Sequence, residues 1–423
     1  MIFFSNCMRI RIMTLFFFII AFLLVDIYVF QAILSVTKNL SPTWQLSIRI
    51  GFWIPTALCI AALFWWTFAD PYNISASMRN WIITGLFATY FSKLFAVVFL
   101  LVDDVQRLVR WMANAFYKGP SNALPGEVIS RSEFLSKTAL VASAIPFGTM
   151  AYGIISGAHD YRVKRVTVKL PNLPKSFDGI KIGHLSDIHS GSFFNKTAVK
   201  GGVEMMMNEK PDLIFFTGDL VNNEATEVKE YLDVFNKLRA PRGVFSVTGN
   251  HDYGDYKSWE SPEAKQQNFK DLIEAHSLLG FNLLKNSNQF IEEGSDKLAI
   301  IGIENWGAGR FSKYGKLDEA YRGTDEAAVK LLLSHDPSHW DAQVRKEYKD
   351  IDVSFAGHTH GFQFGVELGN FKWSPSQYAY KQWAGLYSED NQHLYVNRGF
   401  GYLGYPGRIG MPPELTIMEL KRA

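Results

Sequence analysis

"DVSFAGHTHG", residues 352–361, sets a short apolar run against two histidines two positions apart, with a glycine before the first and after the second. An apolar run of this length, closed by turn-forming residues, predicts a strand buried on both faces. The flanking glycines let the chain turn sharply at its end. On an extended chain, residues i and i+2 point to the same side, about 6.6–6.8 Å apart at their Cα atoms. The imidazoles of His358 and His360 can therefore converge on one metal ion, or on two ions about 3.5–4 Å apart.

The same texture recurs upstream. "GIKIGHLSD" (179–187), "DLIFFTGDL" (212–220), "GVFSVTGNH" (243–251), "KLAIIGIEN" (297–305) and "VKLLLSHDP" (329–337) each read as a buried strand. Helical stretches at 197–209 and 225–238 separate some of them, which predicts an α/β alternation. "HLYVNRG" (393–399) and "ELTIMEL" (414–420) read as strands of a closing antiparallel portion.

What ends these strands is chemistry. The first ends in Asp187 and His189, the second in Gly218-Asp219, the third in Gly249-Asn250-His251-Asp252. The fifth ends in His335-Asp336 and the sixth in His358 and His360. In open α/β sheets, ligand sites form outside the carboxyl ends of the strands, whereas polar caps with no shared function would scatter over loops. Nitrogen and carboxylate donors without sulfur suit manganese, iron or zinc. The donors are too many for one ion, and a carboxylate such as Asp219 can bridge two. Both cysteines, Cys7 and Cys59, lie far upstream, so no thiolate site forms here. His184 sits inside a strand and reads as a core histidine, while His159, His276 and His393 read as packing or surface positions. His335 rather than His339 occupies the strand end after "LLLS".

The ordered set D-x-H, GD, GNHD, H, GHTH resembles the calcineurin-like metallophosphoesterases. Within them it is similar to the membrane-anchored bacterial phosphodiesterases, which have a GHTHG-x-Q ending and a late "RG-G" segment, here Asn397-Arg398-Gly399-Phe400-Gly401. The resemblance covers residues 163–420 and implies a calcineurin-like two-sheet β-sandwich flanked by helices, with two divalent metal ions. It implies that Asp187, His189 and His360 hold one metal, that Asn250, His335 and His358 hold the second, and that Asp219 bridges them. His251 would contact phosphate and act as general acid, with Asp252 orienting it. The reaction implied is attack by a metal-activated hydroxide on a phosphodiester or pyrophosphate, including lipid-linked ones. Relatives often carry glycine after GHTHG where this chain has Phe362, whose bulk would narrow access to the metals. Arg398 reads equally as a phosphate contact or a structural ion pair.

The first part of the chain differs in kind. Before Asp103 its only acidic residues are Asp26 and Asp70. Residues 12–36, 50–69 and 81–102 match or exceed the roughly 20 apolar residues that span a bilayer, with Trp53, Trp65, Trp66 and Trp81 near their edges. A fourth run, 139–158, carries Pro146. This predicts a transmembrane anchor over 1–158 and a metallophosphoesterase catalytic domain over 159–423. The first run is longer than the core of a cleaved signal peptide, and more spans follow, so it reads as an anchor. Asp26, inside the first run and without an evident partner, reads as a residue facing another helix or an interfacial turn rather than as an intramembrane polar site. With four spans, Lys38, Arg49, Arg107, Arg110, Lys118, Arg131 and Lys137 fall on one side, and Arg9, Arg11 and Arg79 on the other with the basic residues that follow the fourth span. The positive-inside rule then places the catalytic domain outside the cytoplasm. "SRSEFLSKTALVASAI" (130–145) agrees, since it resembles a twin-arginine export signal, with a single arginine. A net charge of +2 gives no basic groove for nucleic acid. The alternative to an enzyme is a non-catalytic membrane sensor or scaffold on the same fold. Such chains usually lose a ligand or the GNH histidine, and here none is missing.

Overall fold

The computed structural model of the protein describes residues 2–69, 74, 76–116, 131–369 and 371–423. Contacts divide the chain into two units, 1–151 and 152–423.

The first unit is helical: α1 (Ile2–Thr37), α2 (Pro42–Phe68), α3 (Ala76–Phe116) and most of α4 (Arg131–Ile155). Four stretches in these helices are long and apolar enough to cross a membrane: Ile12–Thr37, Pro42–Phe68, Met78–Ala113 and Glu133–His159. α2 starts earlier than its apolar run predicts, because Ser41 and Pro42 form a helix start with proline in the first turn. α3 runs past its apolar core to Phe116. At 1.5 Å per residue its length is roughly 60 Å, twice the hydrocarbon thickness. Asp70, Lys118 and Ser130 of the sequence reading lie outside the described residues. Asp26, for which the sequence shows no evident partner, has three. Its carboxylate accepts from Thr56 Oγ1 at 2.9 Å and Tyr90 OH at 2.9 Å, and pairs with Lys93. The sequence hides this because Thr56, Tyr90 and Lys93 stand on α2 and α3, one residue each among apolar neighbours.

The second unit contains fourteen described strands. The first sheet uses β1 (Arg162–Leu170), β2 (Lys181–Leu185), β3 (Leu213–Phe216), β4 (Val244–Ser246) and β5 (Asn282–Leu283). The second uses β6 (Ser287–Glu293), β7 (Asp296–Gly302), β8 (Val329–Leu333) and β9 (Val353–Ala356). β10 (Val366–Leu368) and β11 (Phe371–Trp373) form a separate hairpin. β12 (Gly385–Glu389) and β13 (Gln392–Val396) join the second sheet, and β14 (Glu414–Arg422) joins the first. The orders are β1-β14-β2-β3-β4-β5 and β12-β13-β9-β8-β7-β6.

All six buried runs of the sequence are strands. β2, β3 and β4 are parallel, as are β7, β8 and β9, so each sheet presents the carboxyl ends of three neighbouring strands at one edge. The two late strands differ from the antiparallel expectation. β13 runs parallel to β9 and antiparallel to β12, and β14 runs parallel to β1 and antiparallel to β2. The expected helix at 197–209 is α5 (Lys196–Asn208). The one at 225–238 is a 3₁₀ segment, Ala225–Tyr231, that runs into a single α-turn.

Period-two alternation explains why the strands are apolar throughout. Phe215 points between the sheets with Ile182, Phe245, Leu298, Leu331 and Phe355, whereas Ile214 and Phe216 point outward under α5 and the helix Pro262–Leu279. The second sheet covers its outer face with Leu317 and Trp340. Two sheets packed face to face, each with a covered back, fix the strand ends where the polar residues lie.

Candidate metal centre

Every polar residue singled out at a strand end is brought to one place. Asp187 and His189 follow β2, Asp219 follows β3, and Asn250 and His251 follow β4. From the second sheet, His335 follows β8, and His358 and His360 follow β9.

The local chain is not extended there. Asp187, His189, Asp219, His358 and His360 all have φ between 49° and 70°. Non-glycine residues held in the left-handed region cost about 1–3 kcal/mol each and cluster at functional sites. His358 and His360 therefore do not point to one spot as an extended pair would. Asp187, His189 and His360 form one group of facing donors, and Asp219, His335 and His358 form a second. Gly357 is required by close approach, since a Cβ there would overlap Ser186 Oγ and Asp187 Oδ2.

Within the first group, His360 Nε2 lies 3.1 Å from His189 Nε2 and 3.2 Å from Asp187 Oδ1. Within the second, His335 Nε2 lies 3.2 Å from Asp219 Oδ2 and 3.2 Å from His358 Nδ1. Asp219 Oδ2 is also 3.5 Å from His189 Nε2, so this carboxylate faces both groups. Asn250 turns its amide oxygen inward, 3.2 Å from His335 Nε2, because its amide nitrogen donates to Tyr256 OH at 2.8 Å.

Second partners set the tautomers. His335 Nδ1 donates to the Thr217 carbonyl at 2.7 Å, which turns Nε2 toward the cluster. His358 Nε2 pairs with Tyr380 OH at 2.7 Å, which turns Nδ1 inward. His251 Nδ1 lies 2.8 Å from the Asn222 carbonyl, and its ring lines a cavity of about 320 Å³ together with Tyr256, Phe311, Phe362 and Tyr380.

The field favours positive charge. Burial alone would lower the His335 pKa, but the Asp219 and Asp187 carboxylates overcome it and push it up to about 10. Burial alone would raise Asp187 and Asp219, yet the surrounding imidazoles hold both below the usual carboxylate range. His189, with burial as the leading cause, is pushed down to about 3 and presents a neutral ring. Imidazole nitrogens facing one another beside two ionised carboxylates, with an amide oxygen and no sulfur, are a donor set that fits divalent transition cations.

The structure differs from expectation at Asp252. Its carboxylate does not take the His251 ring. It accepts backbone N–H groups from Asp219 at 2.9 Å, Leu220 at 2.8 Å and Gly249 at 2.8 Å, and so fixes the loop that carries Asp219. Burial and the Asp219 carboxylate push Asp252 up to about 7. Arg398 is a buried ion pair with Glu414 and Glu367. His184 packs beside Thr217, His276 beside Ser246 and His339 beside Ser334, all in the core.

Five partners escaped the sequence reading: Thr217, Asn222, Tyr256, Tyr380 and Arg408. Arg408 is wholly buried and donates to the carbonyls of Arg398, Gly399, Gly401 and Met411, with Nη2 3.3 Å from His360 Nδ1. The late "RG-G" segment pairs with the Asp187 loop, Phe400 N to Ser186 O and Gly401 N to Asp187 O, each 2.8 Å. A lone arginine among glycines in "YPGRIG" was the signal available for Arg408.

Strand ends of two mixed sheets pool histidine, aspartate and asparagine into two candidate metal-binding groups. The chain belongs to the calcineurin-like phosphoesterase family, whose domain matches residues 180–362. Residues 8–158 match the family described as probable calcineurin-like phosphoesterase, transmembrane domain. The chain is 30% identical to the uncharacterized metallophosphoesterase YkuE of Bacillus subtilis over 69% of its own length and 98% of that protein's. It is 26% identical to a transmembrane protein with metallophosphoesterase domain of Danio rerio, over 82% of each chain. An uncharacterized metallophosphoesterase of Helicobacter pylori is 30% identical over 63% of this chain and 66% of its own. The chain is thus a membrane protein of the metallophosphoesterase family with two candidate metal-binding groups.

Proposed function

We propose that this chain is a membrane-anchored dimetal phosphoesterase, with its anchor in residues 1–158 and its catalytic domain in 159–423, that hydrolyses a phosphodiester or a pyrophosphate, lipid-linked substrates included. Asp187, His189 and His360 hold one divalent cation, and Asn250, His335 and His358 hold the other. Asp219 serves both, and manganese, iron and zinc suit the donors. When bound, such cations supply Lewis-acid charge to the phosphoryl oxygens and acidify water near neutral pH. The Asn222 carbonyl fixes His251 Nδ1 as a donor, so the imidazolium gives the Nε2 proton to the departing oxygen. Asp252 keeps the Asp219 loop rigid, and Thr217 and Tyr380 hold the rings of His335 and His358. The excess of basic residues flanking the odd connections puts residues 159–423 outside the cytoplasm.

The observation that carries this reading is Asp219 Oδ2, within 3.5 Å of His189 and 3.2 Å of His335, with His251 on the wall of the same cavity. The test is turnover of bis-p-nitrophenyl phosphate by the purified full chain with manganese. The wild type should hydrolyse it, and Asp219→Asn should be at background. A folded wild type that retains two metals and is inert on phosphoesters would instead indicate a sensor.

A further inference from the structure

The β10–β11 hairpin is amphipathic in the wrong sense for a water-exposed element. Its register pairs Val366 with Trp373, Glu367 with Lys372 and Leu368 with Phe371. Directly opposed residues share a face, so Val366, Leu368, Phe371 and Trp373 all lie on one side. The polar side turns inward: Glu367 accepts from Lys164 and Arg398 at 3.3 Å, and Lys372 donates to the Ala384 carbonyl over the Trp383 ring. The apolar side faces out, with Leu368 71% and Phe371 60% exposed. Phe364, its ring 6.1 Å from Trp373, extends the same surface. Contiguous exposed apolar faces of this kind mark an interaction site.

The position of the hairpin says what covers that face. The last turn of α4, Tyr152–Ile155, belongs to the second unit, and it closes the candidate span Glu133–His159. Arg408 N donates to the Gly153 carbonyl at 3.1 Å, and Ile409 in turn bonds Gln363 and Gly365 at 2.8 and 2.9 Å. From Gly365 to Leu368 is three residues, about 10 Å of extended chain. The hairpin is therefore tied through one short segment to the end of a candidate membrane span. Exposed Leu368 and Phe371, with the half-buried Trp373 beside them, suit the interfacial layer of a bilayer, where aromatic rings are favoured.

We propose that the apolar face of the β10–β11 hairpin seats in the interfacial layer of the bilayer and brings the mouth of the cavity to the lipid surface. Phe362, which lines the cavity with His358 and His360 and is itself 63% exposed, stands two residues before Phe364 on the segment that leads into the hairpin. The consequence for substrate rests on the phosphoesterase reading: the site takes phosphoesters whose apolar tail stays in the lipid. The docking itself does not rest on it.

The test uses the full chain in vesicles of phosphatidylcholine and phosphatidylglycerol, with Cys7→Ser and Cys59→Ala as background. A nitrobenzoxadiazole label is placed at Leu368→Cys or, as control, at Glu292→Cys on the edge strand β6. Doxyl groups on the lipid acyl chains should quench the label at 368 and not at 292, while aqueous iodide should do the reverse. Quenching at 368 by iodide, or by neither agent, would overturn the proposal, the latter because protein then covers the face. In parallel, the ratio of turnover of hexadecyl p-nitrophenyl phosphate in the bilayer to methyl p-nitrophenyl phosphate in water should fall about tenfold in Leu368→Glu/Phe371→Glu, since carboxylates resist the interface. An unchanged ratio would overturn the delivery role. Loss of turnover on both esters by the wild type would refute the phosphoesterase reading, and the quenching would still decide the docking.

Discussion

His251 and Tyr380 show how single side chains divide the work. The His251 ring is set by the Asn222 carbonyl, and neither of the two groups of facing donors includes it. Removing it should spare the metals and slow proton delivery. His251→Gln is expected to retain its metal content and lose about 10²–10⁴ in kcat on an alkyl phosphoester. The loss should be much smaller with p-nitrophenolate as leaving group, which needs no proton. Equal loss on both substrates, measured by steady-state kinetics, would contradict the assignment. Tyr380 acts through another residue, since its hydroxyl reaches His358 Nε2 at 2.7 Å. Tyr380→Phe frees that ring to rotate and should weaken metal retention at the second group by about 10-fold, read by competition with a chelator. The residue types of the centre were legible in the sequence because histidine, aspartate and asparagine at strand ends have few other uses. Their partition followed only from the family resemblance, because the left-handed φ of His358 and His360 sends two rings that look equivalent on an extended chain to different groups. Arg408 was hidden for another reason, because it holds backbone carbonyls, which carry no sequence identity.

Among elements, the strands legible in the sequence are those buried on both faces. β3, "LIFF", is apolar at every position because sheet interior and helix cover it on either side. β1, "RVKRVTVKL", pairs on one side only, with β14, and is polar at alternate positions, so no unbroken apolar run announced it. β5 has two residues, too few for any period. The hairpin β10–β11 was missed although Val366-Glu367-Leu368 and Phe371-Lys372-Trp373 alternate about Gly369-Asn370, because three residues a side are too short a run to stand out. The helix Pro262–Leu279 was missed although Ser261, Pro262 and Gly280 mark its ends. In the membrane helices, the pair of Asp26 and Lys93 joins α1 to α3, with Thr56 of α2 at 2.9 Å from the carboxylate. Lys93→Met leaves that buried carboxylate unpaired and should destabilise the helical unit by about 3–5 kcal/mol. The double variant Asp26→Asn/Lys93→Met should recover most of the loss. Thermal unfolding in detergent checks both, and a single variant as stable as wild type would mean the pair is dispensable.

For the whole molecule, acid stability follows from neutral histidines sealed in the core of the second unit. Burial pushes His276 down to about 3, and His184 and His339, again chiefly through burial, down to about 4. In the unfolded chain each titrates near 6.5. Between those values the unfolded chain binds more protons at these three sites than the folded one, so the stability they contribute is complete above about pH 6.5 and falls as pH drops. The fall is up to about 1.4 kcal/mol per pH unit for each histidine. Melting of the full chain should therefore steepen in pH dependence below pH 6.5, and His276→Asn should flatten it. A melting temperature constant from pH 7 to 4.5 would contradict this. The change from long apolar runs to short strands separated by polar segments was legible in the shift in composition near residue 160. The joint between hairpin and helix end was not, because it runs through main-chain bonds of residues 408 and 409. The central claim, that two ions share Asp219, is tested most directly by elemental analysis of metal bound per chain after loading with manganese and desalting. The account predicts two ions in the wild type and one or fewer in Asp219→Asn. One ion or none in the wild type, or two in both proteins, would contradict it.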